Sequence, residues 1–456
     1  MNVSMSFIVR EKQFYKTFFT LTLTIALQNL VVYSVNLADN IMLGAYSETA
    51  LSGVALVNQI QFFLQMVVGG CTEGITILAS RSWGRREIEP IQRISKAGMY
   101  LALLISAVIW AGSLLFPTQL LSMFTNEAAV IAEGAEYLRI VCFSYLFFAV
   151  STVLISTLRS VVTVRIGFTV SLFSLVVNVT FNYLLIFGKL GLPALGVAGA
   201  AIATVISRAV EVLVCIIYIK RYDKKLSLRL RHYLGGLDKN LLRSFWKVSW
   251  PVMFSGGTWG LAMGIQSAIL GHMGQQSIAA NSVASTVFSI ITVVAYGSAN
   301  STSVLIGKTI GEGRIDAVRQ YAKTIQLLFL GIGICTGAVM FLSKDLILSL
   351  YQLTPDTMAL SNTFLIVLSI TSIGTAYQMP SLCGIVRGGG QTDFVLYNDL
   401  IFQWIIVLPA AALAAFVLDL SPLIVFICLK SDQVLKCLVA VVKVNRFKWI
   451  RMLDKA

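Results

Sequence analysis

The sequence is short of charge. Lys and Arg number 35, Asp and Glu 21 and His only 2, so 12% of its 456 residues are charged, about half the share of a soluble globular chain. So few charges cannot coat the several water-exposed domains that this length would otherwise suggest. An apolar fraction of 57% excludes intrinsic disorder. Reactive groups are equally scarce. The seven cysteines (Cys71, Cys142, Cys215, Cys335, Cys383, Cys428 and Cys437) form no CxxC or other metal-ligand spacing, so buried unpaired thiols are expected. His232 and His272 stand far apart, and neither is read as a metal ligand or catalytic group. No nucleophile elbow, Walker loop or zinc motif occurs. These absences argue against an enzyme, against a bound cofactor or metal, and against a pump carrying its own ATPase.

What the chain has in abundance is long apolar runs, with a mean hydropathy of +0.81. A membrane-spanning helix needs about 20 mostly apolar residues. Twelve such stretches are predicted, at 17–44, 49–79, 97–116, 130–157, 166–187, 194–219, 249–271, 277–306, 324–343, 357–386, 395–417 and 421–442. Several carry Gly, Ser, Thr or Asn, as suits helices that pack closely or line a cavity. The opening run far exceeds a signal-peptide core, so no cleaved leader is expected.

The formal charge of +14 resolves into an orientation signal. With the N-terminus inside, 29 of the 35 basic residues fall in inner segments: the N-terminal stretch, 81–96, 159–165, 220–247, 308–323, Arg387 and 443–455. Only Lys189 and Lys344 fall outside. By the positive-inside rule both termini are expected in the cytoplasm. The basic residues are spread over alternate loops rather than gathered on one face, which argues against nucleic acid as a partner.

The halves echo each other. Residues 40–44 (NIMLG) match 267–271 (SAILG), 84–89 (GRREIE) match 311–316 (GEGRID), and Lys96 matches Lys323, all at an offset of 227. Arg159 matches Arg387 at 228. An even number of spans per repeat implies two bundles of like orientation, an arrangement common in secondary transporters. The expected fold is therefore an all-α polytopic membrane protein of twelve transmembrane helices in two six-helix bundles related by pseudo-two-fold symmetry. Its lobes are read as 1–219 and 248–456, joined by a basic linker at 220–247. Within that linker, 237–246 (LDKNLLRSFW) is either an amphipathic helix on the inner leaflet or a simple basic tether.

Three stretches, 36–44 (NLADNIMLG), Leu158-Arg159 with 178–188 (NVTFNYLLIFG), and 194–204 (ALGVAGAAIAT), together with 385–392 (IVRGGGQT), resemble the MATE (multidrug and toxic compound extrusion) family over essentially the whole chain. The resemblance implies export of amphipathic, often cationic compounds, driven by inward flow of protons or sodium ions. It implies a plasma-membrane protein of bacterial type, here read as a monomer, whose partners are small-molecule substrates and the lipid bilayer.

Asp39 leads the candidate ion-coupling residues. It sits about five residues inside the outer end of span one, roughly 7–8 Å down the helix. An intramembrane acid is a functional hypothesis by default. A carboxyl group in such a place can trade a proton for a cation, because desolvation favours its neutral form and a nearby cation its charged one. The resemblance adds Asn178, Asn182 and Thr204 to this site. Where some members carry an acid, this chain has Asn182, so the site has one negative charge fewer, which favours protons over sodium. Where others carry a Glu in span seven and an Asp in span ten, this chain has Trp259 and Ala376. The resemblance is thus closer to members relying on an N-lobe Asp than to those with C-lobe acids. Thr24 stands where a bendable proline often occurs in span one. Glu73 in span two is a further coupling candidate, with hydrogen-bonded packing as its alternative. Glu136 with Arg139, Arg208 with Glu211, and Asp432 with Lys436 have the spacings of same-face helical pairs. For substrate contact, aromatic and amide side chains suit amphipathic cations, and Gln28, Tyr33, Trp259, Gln266 and Tyr377 are the candidates. An alternative on the same fold is a flippase for a lipid-linked or other amphipathic metabolite.

Overall fold

The computed structural model describes residues 8–451 except 234, 237, 350 and 352. Among the described residues every regular element is helical. This follows from apolar runs that must satisfy their backbone N–H and C=O groups internally. In order these are α1 (Lys12–Tyr46), α2 (Glu48–Gly84), α3 (Ile88–Leu115), the short α4 (Pro117–Ser122), α5 (Ala128–Val141), α6 (Ser144–Ser160), α7 (Arg165–Phe187) and α8 (Gly196–Arg221). A turn of 3-10 helix at Leu230–Tyr233 precedes α9 (Lys239–Gly271), α10 (Gln275–Gly311), α11 (Ile315–Leu348) and α12 (Pro355–Met379). The last part holds α13 (Thr392–Leu400), α14 (Leu408–Ala412), α15 (Pro422–Lys430) and α16 (Asp432–Asn445). Wide π-helical turns extend α12 through Pro380–Val386 and join α13 to α14 through Ile401–Val407.

The fold is the expected twelve-helix membrane architecture. Among the described residues nine helices are long and apolar enough to cross a membrane, and a tenth is α5 with α6, bent by 50° at their junction. The two remaining predicted spans are more polar. One is α9, rich in Gly and Ser and holding Pro251 within it. The other is α15 with α16, broken at Ser431 and carrying Lys430, Asp432 and Lys436. Leu237, where the linker helix was expected to begin, lies outside the described residues, as does Lys455 of the basic tail. From Lys239 onward the linker stretch is already α9.

Local chemistry sets the helix boundaries. Ser47 holds an extended backbone between α1 and α2, and its hydroxyl accepts from the Ala50 N–H at 3.3 Å; Glu48 follows it in the first turn, as the helix dipole favours. Thr354 caps α12 with Pro355 at its first position. Gly188 ends α7 with φ of 63°, a left-handed conformation that suits glycine. Hydroxyls within spans bond mostly to their own helix, as Thr157 does to Val153 O (2.8 Å) and Ser361 to Thr357 O (2.7 Å). Such local bonds let apolar helices carry many Ser and Thr without stranding them.

The chain divides into two compact units, one of residues 27–256 and one of residues up to Ala26 together with those from Gly257 onward. In the first, α2 packs against α3, α5 and α6, while α7 packs against α8. Gly53 and Gly134 let α2 and α5 approach closely: a Cβ on Gly53 would lie 2.7 Å from Gly134 N and 2.9 Å from Val130 O. Since backbone cannot yield, Gly53→Val is expected to lower thermal stability by about 1–3 kcal/mol, measured as a fall in the unfolding temperature of detergent-purified protein. An unchanged transition would refute that close crossing.

In the second unit α12 packs against α10, α11 and α16, and Phe364 stacks on Phe426 at 3.9 Å between ring centroids. The start of α1 belongs here: Thr22 and Ser301 hydroxyls bond at 2.7 Å, and Phe18 meets Phe329 at 6.4 Å. A charge network lies in this unit. Lys436 Nζ is 3.0 Å from Asp399 and 3.4 Å from Asp432, and Arg387 Nη2 is 3.6 Å from Asp399. The expected Asp432–Lys436 pair is thus half of a four-residue cluster. Arg208 pairs with Glu211 at 2.9 Å as its spacing suggests. Among the described residues no ion pair joins Glu136 to Arg139, and both side chains are exposed on α5. Lys430 is buried, 3.5 Å from Gln266 Oε1 and facing the rings of Phe288 and Phe426.

Candidate functional site

The 27–256 unit encloses a small polar cavity against Asp39. Four helices supply most of its wall: Asn36 and Asp39 from α1, Asn58 and Gln61 from α2, Ser171, Ser174 and Asn178 from α7, and Thr204, Ser207, Arg208 and Glu211 from α8, with Tyr137 from α5. On α7 the polar residues 171, 174, 178 and 182 recur every three or four positions, one stripe of a helix rich in Val, Leu and Phe. The interior offers about 20 Å³, room for a water or an ion and far less than a drug-sized molecule needs.

Asn182, one turn from Asn178, donates from Nδ2 both to the Asp39 carboxylate and to Asn178 Oδ1, the latter at 3.0 Å. Both asparagines are fully buried. Among the described residues Asn182 Oδ1 and Asn178 Nδ2 have no hydrogen-bond partner, a costly state for buried amides. An acceptor and a donor beside a carboxylate suit a hydrated or ionic occupant that can change. Thr204 also lines the cavity, but its hydroxyl donates to Ala200 O at 3.0 Å. Arg208 Nη1 reaches both Glu211 oxygens at 2.9 and 3.0 Å, and Ser151 donates to Glu211 Oε2 at 3.2 Å. That pair neutralises itself, so with Asp39 ionised the cavity carries one uncompensated negative charge.

The structure therefore brings together Asp39, Asn178, Asn182 and Thr204. Glu73 is not among the cavity residues; its charge acts on Arg159, whose Nη2 donates to Gln28 Oε1 at 3.4 Å. Gln28, read as a substrate contact, thus has a partner within its own unit. Tyr33 is exposed and Trp259 half-buried. Gln266 is buried beside Lys430, and the Tyr377 hydroxyl donates to Gln326 Oε1 at 2.8 Å. The reading of the sequence missed Asn36, Asn58, Gln61, Tyr137 and the α7 serines. Their three- and four-residue spacing within apolar spans was the signal that could have found them.

An all-helical membrane fold with an ion-sized acidic cavity buried in one of its units is of the membrane-transporter class. The MatE family profile matches residues 24–184 and 251–413, and the chain belongs to that family. It is 26% identical over 408 residues to the uncharacterized transporter YisQ of Bacillus subtilis, covering 87% of each chain. It is 27% identical over 404 residues to the probable multidrug resistance protein NorM of Listeria monocytogenes serotype 4b, covering 87% of this chain and 86% of that one. Among solved structures, a mutant of the Vibrio cholerae MATE transporter VcmN superposes with a TM-score of 0.86 at 18% identity, over 95% of this chain and 97% of that one. A MATE in the straight conformation gives 0.85 at 19%, over 94% and 95%.

Proposed function

We propose that the chain is a multidrug-type exporter that expels amphipathic, often cationic compounds in exchange for inward-moving protons, by alternating access. In this reading it resides in the plasma membrane with both termini cytoplasmic. The names of its NorM relatives support the substrate class. The observation that carries the coupling is the Asp39–Asn182–Asn178 cluster in a cavity of water size, where Asp39 is the one acid without a basic partner among the cavity residues. A proton needs one carboxylate. A sodium ion gains from more than one anionic oxygen, and Glu211 is already committed to Arg208. Protonation of Asp39 would cancel the cavity's net charge and so bias the N-lobe between two states of hydration. The acid thereby belongs to the N-lobe subtype of the family rather than to one using C-lobe acids.

The test is efflux of ethidium from vesicles holding purified protein, with a pH gradient or a sodium gradient imposed separately. Efflux is expected with an inward proton gradient alone. Efflux that answers only to sodium would overturn proton coupling, and no efflux under either gradient, with normal folding, would favour the flippase alternative.

A further inference from the structure

A second and larger pocket lies in the 27–256 unit, away from Asp39. Its volume is about 370 Å³. One side is apolar, formed by Leu154 of α6 with Ile216 and Ile219 of α8. The other is formed by Lys220 in the last turn of α8 and by the chain that follows, which supplies Arg229 and Tyr233. The shape of that chain is imposed by Asp223. Its carboxylate accepts from the N–H groups of Lys225 (3.1 Å), Leu226 (3.2 Å) and Leu228 (3.4 Å).

Further contacts fix the loop. Ser227, at the pocket wall, is held at φ of 48°, an unfavourable left-handed backbone for a residue with a Cβ. The Lys225 ammonium donates to Val161 O and Thr163 Oγ1 at 2.9 and 3.0 Å. The Tyr233 hydroxyl is bonded to Ser95 at 2.8 Å, and burial pushes it up to about 12, so it stays neutral. The segment is therefore a built wall around a cavity. The one acid in that wall is occupied by three backbone donors, whereas no ion pair engages Lys220 or Arg229 among the described residues.

We propose that this pocket binds an anionic phospholipid: the phosphate between Lys220 and Arg229, the start of an acyl chain against Leu154, Ile216 and Ile219. Two cations over an apolar floor match an amphiphile whose charge is a phosphate, and a free phosphate would leave that floor uncovered. A cytoplasmic leaflet supplies such lipids, and each basic residue near its surface is worth about 1 kcal/mol. The assignment rests on the cytoplasmic placement of the basic loops proposed above. Occupancy would pin the linker to the 27–256 unit.

Native mass spectrometry of detergent-solubilised protein titrated with phosphatidylglycerol or phosphatidylcholine tests this directly. The Lys220→Gln/Arg229→Gln double variant is expected to bind phosphatidylglycerol roughly thirtyfold more weakly. Lys224→Gln/Arg231→Gln removes the same charge from exposed neighbours outside the pocket lining and is expected to bind as wild type does. Equal loss in both variants would mean diffuse surface attraction and overturn the site, as would no loss in either. Soluble glycerol phosphate binding as tightly as the lipid would overturn the lipid assignment in favour of a free phosphate ester. Protease access to 220–247 in right-side-out vesicles reports separately on orientation. Cleavage there from outside would leave the binding result standing as a headgroup site on the outer leaflet and overturn the cytoplasmic assignment.

Discussion

Asp39→Asn is expected to reduce gradient-driven ethidium efflux from vesicles to the rate seen without protein. The substitution is nearly isosteric, so the contact with Asn182 and the surrounding packing survive and the unfolding temperature should move little. What is lost is the only group in the cavity that can take up and release a proton without breaking an ion pair. Glu211 does not substitute, because its charge is committed to Arg208 at 2.9 Å. Asp39→Glu keeps the titrating group but lengthens it by a methylene in about 20 Å³ of space, so partial activity is expected. Full pH-driven efflux in Asp39→Asn would remove the carboxylate from the mechanism.

The second large effect concerns stability. Lys436→Met should lower the unfolding free energy by about 3 kcal/mol, the scale for breaking a buried ion pair by removing one partner. Lys436 is 7% exposed at its side chain and serves two acids; Asp399 retains Arg387 after the change, but Asp432, 15% exposed, is left without its cation. Lys436→Arg should recover most of the loss, and Lys436→Met/Asp432→Asn should recover part of it, because the stranded charge is then gone. Thermal unfolding monitored in detergent separates these variants. Equal transitions for wild type and Lys436→Met would show that the network carries no net stability.

The sequence made the spans legible because a membrane demands one crude property, some 20 apolar residues in a row. The apolar signal is weaker at α9 and at α15–α16, where Gly, Ser and charge interrupt it, yet helices stand at both predicted spans. Asp39 stood out because an acid in a span is costly. Its companions did not, because serines and asparagines are tolerated in helices for packing alone. Only geometry shows that Ser171, Ser174 and Asn178 share one wall with Asn58 and Gln61. Pairing rules worked where the partners were shielded from water, as with half-buried Arg208 and buried Glu211. They failed for Glu136 and Arg139, exposed residues with little to gain from meeting.

The π-helical turn at Pro380–Val386 gives the repeat a reading frame. The halves align at 227 at the end of spans one and seven, after spans two and eight, and at Lys96 with Lys323, but Arg387 lies 228 residues after Arg159. Arg387 comes immediately after that turn. A π turn closes its hydrogen bond over five residues instead of four, so it accommodates one additional residue without tearing the helix. A turn of this kind has room for the one-residue difference between the halves. If the extra residue sits there, deleting one residue from 380–386 restores an ordinary α-helical turn and brings the two arginines back into step.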